Sequence, residues 1–420
     1  MIPVVTVSKA DKSLRGELIL PSSKSISNRL LMIGALSETD FPVDGLSEAE
    51  DTLLLQSLLE AIRQQSGDSS VITLDTANAG TVMRFLTAYL AFRPGRWVLT
   101  GSDRMKRRPI GILVEALQAI GADIEYLSWL GYPPILIKGK PLSGREVTID
   151  SGVSSQFISA LLMIAPSLPN GLHLRLRGQS VSWPYIEMTL RLMKNFGIRV
   201  KRTGQRIQVP PGRYLPAAYK VESDWSAAAF WYEAAALSGD ADLVLKGLDQ
   251  GSLQGDSVLA EIFQNFGVNT DYRDDGIRLT STNRKAGGFY FDFTSYPDIA
   301  PPVITTCAAL GIRGRFEGLK SLRIKETDRL YAIQHEIDKM GFSMQCATFD
   351  GAMPALELNP VHPKPRSEHP IDTYGDHRMA MTFAPLALCS GAMRILNPNV
   401  VVKSYPKYWE HLKLLGFEVR

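Results

Sequence analysis

Five short stretches of this chain share one shape: an apolar helical run, a glycine, then a strand-like run. They read LQAIGADI, LMKNFGIRV, IFQNFGVNT, IDKMGFSM and LKLLGFEV, and their glycines Gly121, Gly197, Gly267, Gly341 and Gly416 lie 70 to 76 residues apart. A glycine past a helix end supplies the left-handed conformation that stops the helix. A second kind of helix recurs in step. It starts abruptly with small or polar residues and then turns apolar: SSKSISNRLLMIGAL, NAGTVMRFLTAYLA, SSQFISALLMIAP, SDWSAAAFWYEAAAL, PDIAPPVITTCAAL and GDHRMAMTFAPLALC. These starts fall near Ser23, Asn78, Ser154, Ser223, Pro297 and Gly375, so six units of about 70 residues fill a chain of 420.

That period predicts a repeated αβ module, two helices per unit, with strands such as DLVLKGL, GIRLTST, EVTID and IQVP between them. Helices as apolar all round as FISALLMIA belong at the centre of a domain. Three units about each centre predict two similar domains, which suits a chain too long for one core. The first unit is short, because SEAEDTLLLQSLLEAIRQQSGDSS reaches the next small-residue helix early. One strand there is expected to be trimmed.

Composition narrows the function. Apolar residues at 45% and charged residues at 21% describe a globular protein. A net charge of +3 with no basic tract argues against a nucleic-acid partner. Cys307, Cys346 and Cys389 are too few and too far apart for a disulfide framework or a metal-ligand pair, and they suit a reducing, cytoplasmic setting. Lys9, Asp11, Lys12 and Arg15 precede any long apolar run, which argues against a signal peptide, and no uncharged apolar stretch is long enough to cross a membrane.

The chemistry-bearing residues stand where the small-residue helices begin. Lys24 and Arg29, Arg84, Asp224, Asp298, and Asp376, His377 and Arg378 mark five of the six starts. Helix N-termini already favour anions, so lysine and arginine there imply a compensating anion. Bidentate arginine suits phosphate and carboxylate. Gly80 would let a ligand approach the backbone, and Ser154, Ser155 and Gln156 offer neutral donors in one turn. KETDR puts Lys325 and Arg329 four apart on one helix face, beside Glu326. Each motif alone is also ordinary capping or an ion-pair network. Together Lys24, Arg29, Arg108, Lys325, Arg329, Arg378 and Lys403 form a set of cations beside two acid/base candidates, Asp298 and Glu326. No phosphate loop, dinucleotide fingerprint, zinc motif or nucleophile elbow accompanies them. This pattern suits an enzyme without cofactor or metal that handles two polyanions.

SKSISNRLL, NAGTVMR, LTGSDRMKRRPIG, YPPILIKG, VSSQFISALLM, VSWPYIEMTL, VESDWSAAAF, SLQGDS, PDIA, RIKETDRL, TYGDHRMAM and KSYPKYW, in that order, resemble the 5-enolpyruvylshikimate-3-phosphate synthase family along nearly the whole chain. The resemblance implies an α/β (α+β) fold of two similar domains, each of three βαβαββ units with buried helices, and an active site in the interdomain cleft. One domain is expected over residues 20–222, the other over 1–19 plus 223–420, with crossings near 20 and 223. It implies a monomeric transferase of aromatic amino-acid (chorismate) biosynthesis. That enzyme moves the enolpyruvyl group of phosphoenolpyruvate to the 5-hydroxyl of shikimate 3-phosphate, and glyphosate competes with phosphoenolpyruvate. Both substrates are small molecules; no membrane or nucleic acid is involved.

Carried over by residue, the shikimate 3-phosphate contacts are Lys24, Ser25, Arg29, Ser154, Ser155, Gln156, Ser182, Tyr185, Asp298, Ser321 and Lys325. The phosphoenolpyruvate contacts are Lys24, Asn78, Gly80, Arg108, Gln156, Arg329, Arg378 and Lys403. Asp298, Glu326, Lys24 and His377 take the catalytic roles, Glu326 protonating the methylene carbon with His377 in support. The chain departs from the family at Phe85, usually proline; at Thr76 and Ala77, usually Leu-Gly; at Trp183, usually lysine; and at Ser321, usually asparagine. Phe85 is expected to tilt the helix that carries Gly80 and to alter affinity for phosphoenolpyruvate and glyphosate. The sister family that uses UDP-N-acetylglucosamine usually has a reactive cysteine before PIG, and GSDRMKRRPIG has none. A catalytically inactive anion-binding homologue would not need Asp298, Glu326 and Lys24 together. An RNA 3′-phosphate cyclase would need a basic stripe that is not there.

Overall fold

The protein is described here from a computed structural model covering residues 2–37, 39–65, 70–143, 145–282, 286–347, 355–359 and 369–420, the side chains of 343–347 excepted. The chain forms two compact units. Unit one is Met1–Ser23 with Glu222–Arg420, and unit two is Lys24–Val221.

In chain order unit one opens with β1 (Val4–Ser8) and β2 (Ser13–Ile19). Unit two follows with α1 (Lys24–Leu36), β3 (Val43–Asp44), α2 (Glu50–Arg63), β4 (Val71–Asp75), α3 (Gly80–Phe92), β5 (Gly95–Thr100) and α4 (Gly111–Ala119). It continues with β6 (Asp123–Tyr126), β7 (Ile135–Gly139), β8 (Glu146–Asp150), α5 (Ser155–Ile164), β9 (Leu172–Arg177), α6 (Trp183–Asn195), β10 (Lys201–Thr203), β11 (Arg206–Val209) and β12 (Tyr219–Lys220). Unit one resumes with α7 (Trp225–Ser238), β13 (Asp240–Lys246), α8 (Leu259–Gln264), β14 (Val268–Arg273), β15 (Gly276–Ser281), β16 (Gly288–Asp292), α9 (Ala300–Leu310) and β17 (Arg313–Glu317). It ends with α10 (Arg329–Lys339), β18 (Ser343–Ala347), β19 (Ala355–Asn359), α11 (His377–Phe383), α12 (Ala387–Ser390), β20 (Ala392–Leu396), α13 (Tyr408–Leu414) and β21 (Glu418–Val419).

Four sheets share one order: β4-β5-β7-β6, β8-β9-β11-β10, β2-β13-β15-β14 and β16-β17-β19-β18. In each, the first two strands are parallel and the hairpin is antiparallel, which is a βαβαββ module. A fifth module is closed by the other end of the chain. There β20 pairs antiparallel with β1, β1 pairs with β21, and Ile371 makes a single parallel bridge to Ile395. This pairing ties the N-terminal strand to the C-terminal half.

The sixth module differs from the expectation of one trimmed strand. Among the described residues its sheet holds β12 and β3, two residues each, and the seven residues between Arg63 and Val71 are too few for the hairpin that its sisters carry.

The glycines that fixed the period take left-handed φ: 102° at Gly121, 83° at Gly197, 80° at Gly267, 85° at Gly341 and 81° at Gly416. Burial follows the two helix types. Every residue of α5 but Gln156 and every residue of α7 but Ser226 is buried, whereas α6 and α10 bury one face. Strands alternate, as in β9, where Leu172, Leu174 and Leu176 face inward and His173, Arg175 and Arg177 face solvent. On α7 the buried Trp231 Nε1 donates to the Tyr405 hydroxyl at 3.0 Å, which lies 2.7 Å from His411 Nδ1. Cys307 is buried and Cys389 half-buried, both as free thiols, and the Cys346 side chain lies outside the described residues. No helix among the described residues is long and apolar enough to cross a membrane.

Candidate active site

The residues singled out in the sequence sort into two clusters, one per unit. Each gathers mostly at or near helix starts.

In unit one Arg329, the first residue of α10, is 1% exposed and grips three carboxylates. Its Nε donates to Asp376 Oδ2 at 2.7 Å, Nη1 to Asp298 Oδ1 at 3.0 Å and Nη2 to Glu326 Oε2 at 2.8 Å. Lys325 Nζ donates to Asp298 Oδ1 at 3.1 Å, and Arg378 Nη1 to the Asp298 carbonyl at 2.9 Å. Lys403, almost buried, reaches Glu326 at 3.8 Å. Asp376 also caps α11, accepting from the Arg378 amide at 2.9 Å, and His377 Nδ1 lies 3.6 Å from it.

KETDR therefore does not lie on one helix. Asp328 is the N-cap, the helix starts at Arg329, and residues 320–324 form a separate 3-10 turn. Lys325 and Arg329 meet through Asp298 instead of through helical spacing. The Ser321 hydroxyl is buried beside this turn with no partner among the described residues.

Charge decides the state of the cluster. Burial alone would raise the Asp298 carboxyl, but Arg378, Lys325 and Arg329 overcome it and hold Asp298 well below the ordinary carboxylate range. Burial would likewise lower the Arg329 guanidinium, and Asp376, Glu326 and Asp298 more than restore it. Asp256, within SLQGDS, is a neighbour not among the candidate site residues singled out above. Burial and then the Asp298 charge push it up to about 6, against a hydrogen bond from Ser226. Its only sequence signal was its place in that motif.

In unit two the cations are held mostly by neutral groups. Arg29 Nε donates to Thr189 Oγ1 at 2.7 Å, Nη1 to the Ser25 carbonyl at 2.8 Å, and Nη2 to Ser159 Oγ at 3.2 Å and the Tyr185 carbonyl at 3.1 Å. Burial draws the Arg29 guanidinium down to about 10, still charged at neutral pH. Its guanidinium lies 5.6 Å from the centre of the Phe85 ring, so Phe85 supports a cation directly. Lys24 is the exception, with Nζ 3.0 Å from the buried Asp51.

Ser154 caps α5, accepting from the Gln156 amide, and Gln156 Nε2 donates to Thr81 Oγ1 at 3.0 Å, joining α5 to α3. Arg108 Nη1 donates to the Asn78 carbonyl at 3.3 Å, and Arg84 Nη1 to the Gly80 carbonyl at 2.9 Å. A Cβ on Gly80 would sit 2.5 Å from Arg84 and 2.6 Å from Arg108. The space kept open by this glycine is thus taken by two guanidinium groups. Ser155 opens α5, buried. Ser182 stands before α6 at φ 56°, and Arg202 stacks 3.9 Å over the Trp183 ring beside it. Asp51, Ser159 and Thr189, which hold the cations of α1, were not legible as site residues because they lie 27 to 160 positions away.

Among the described residues no group of three His, Cys, Asp or Glu side chains is placed to hold a metal ion. Repeated βαβαββ modules in two units place the protein in a two-domain α/β class. Its solved members include an EPSP synthase from Acinetobacter baumannii, with a TM-score of 0.77 over 99% of each chain at 23% identity, a likeness of fold. The sequence pattern of the EPSP synthase (3-phosphoshikimate 1-carboxyvinyltransferase) family matches residues 8–412, and the chain belongs to that family. A 3-phosphoshikimate 1-carboxyvinyltransferase from Bacteroides fragilis is 46% identical over 98% of each chain. One from a Sulfurovum species is 36% identical over 97% of this chain and 98% of its own.

Proposed function

We propose that this protein transfers the carboxyvinyl group of phosphoenolpyruvate to the 5-hydroxyl of shikimate 3-phosphate and releases phosphate. The observation that carries this reading is the family match over residues 8–412. In the addition step the hydroxyl oxygen bonds to C2 of phosphoenolpyruvate while C3 gains a proton and becomes a methyl group. In the elimination step the C2–O bond to phosphate breaks and the methyl group gives up a proton.

The two clusters divide this work. In unit two, Lys24, Ser25, Arg29, Ser154, Ser155, Gln156, Ser182 and Tyr185 serve shikimate 3-phosphate, and Lys24, Asn78, Gly80, Arg108 and Gln156 serve phosphoenolpyruvate. In unit one, Arg329, Arg378 and Lys403 neutralise the phosphate as it leaves. Asp298, held ionised, accepts a hydrogen bond from the attacking hydroxyl, with Ser321 and Lys325 beside it. Glu326 delivers the proton to C3, supported by His377. The free thiols suit a cytoplasmic setting, and we take the working form to be a monomer.

The test is phosphate release from phosphoenolpyruvate with the purified chain. Release that depends on shikimate 3-phosphate is expected. Release driven equally by another sugar acceptor, or none at all, would reject the reading.

A further inference from the structure

The shortened module leaves a gap in unit two. In the next module β7 packs against α3, and in unit one β15 packs against α7, so in these two modules the hairpin covers the flank of the first helix. Only seven residues separate the end of α2 at Arg63 from the start of β4 at Val71, too few for such a hairpin beside α1. In its place is an open groove of about 910 Å³, bounded by α1, α2 and the C-terminal end of α3. That volume is in the range of small-molecule sites, ~300 to 1,000 Å³.

The floor is apolar. Leu30, Gly34, Phe41 and Leu53 line it, and Leu53 is 53% exposed for want of a cover. One end is cationic. The Arg93 guanidinium lies over the Tyr89 ring, 5.7 Å from its centre, and meets no carboxylate among the described residues. Arg63 faces the same groove and, among the described residues, its ion pair is an exposed contact to Asp40 at 3.8 Å, which is worth little. Glu60, the other acid among the described wall residues, accepts a hydrogen bond from Gln64 at 2.9 Å. Strand addition is a poor alternative, because β3 offers a ladder of only two residues.

We propose that this groove binds a small monocarboxylate with an apolar, ring-sized body. The carboxylate sits on Arg93, with Arg63 near, and the body lies on the α1–α2 floor. The inference goes beyond the transferase reading and does not depend on it.

Calorimetric titration of the full chain with 3-phenylpropionate and with its uncharged amide tests it. The acid is expected to bind at one site at least about tenfold more tightly than the amide. Arg93→Gln, at a half-exposed position, should erase that preference. Gly34→Leu should block both probes, since a Cβ there meets only Phe41, at 3.9 Å. No saturable binding up to about 10 mM, equal affinity for acid and amide, or unchanged binding in Arg93→Gln would overturn the site. So would self-association that Gly34→Leu abolishes, which would assign the groove to a second copy of the chain.

Discussion

Both units bury an arginine near the start of a helix, yet they satisfy it differently. Arg329 in unit one is bound by Asp298, Glu326 and Asp376, so cation and carboxylate neutralise one another. Arg29 in unit two is bound by two hydroxyls and two carbonyls, so its positive charge is left uncancelled by any of them. A neutral frame around a cation attracts an anion from solution. The network around Arg329 adds carboxylates held at fixed positions, where protons can be exchanged. The division predicts that unit two sets affinity and unit one sets turnover.

Glu326→Gln should break the comparison most severely if it is wrong. The amide keeps an acceptor for Arg329 and removes the proton donor. Turnover is expected to fall by roughly 10² to 10⁴ with KM for shikimate 3-phosphate little changed. Gln156→Ala in unit two should do the reverse, raising KM more than it lowers kcat. Matching kcat losses in both variants would remove the division of labour.

Stability separates the units next. Arg329→Met takes the guanidinium from Asp376, which is 0% exposed, and one of the cations from each of Asp298 and Glu326, and is expected to cost about 3–5 kcal/mol in urea unfolding. Arg29→Met strands only neutral partners, at about 1–3 kcal/mol. Equal costs would mean that the carboxylates around Arg329 relax to water, and that its network is no more ionic in effect than that of Arg29.

Local physics was legible in the sequence, and long-range pairing was not. Gly121, Gly197, Gly267, Gly341 and Gly416 announced helix ends because left-handed φ is a property of one residue. The starts of α3, α5, α7 and α11 were visible because a break from polar to apolar is local. The partner of β1 was not, since it lies at residues 392–396 and no periodic signal links the two. The missing hairpin was read as one missing strand, because a shortfall in length does not say which strands are lost. Lys325 and Arg329 suggested a helix face by their spacing. The cap at Asp328 starts the helix later, and a third residue, Asp298, brings the two cations together.

The smallest effect concerns a turn that the units build differently. Before α11 two consecutive residues are left-handed, Tyr374 at φ 51° and Gly375, two residues upstream of His377, at φ 69°. Before α3 the left-handed position is Ala77, at φ 47°, where the family usually has glycine. An alanine there carries about 1–2 kcal/mol of steric cost from its Cβ. The turn tolerates it because the Ala77 amide donates to Asp75 Oδ1 at 2.7 Å and its carbonyl accepts from Ser102 at 2.8 Å. Ala77→Gly relieves that cost but gives the unfolded chain about 0.4–1 kcal/mol of extra freedom. The net expectation is a gain of about 0.5–1 kcal/mol, a rise of roughly 1 to 4 °C in melting temperature for a unit of this size. Gly375→Ala should lower it by a similar amount. If Ala77→Gly melts lower than the parent, the Asp75 hydrogen bond outweighs the strain at Ala77.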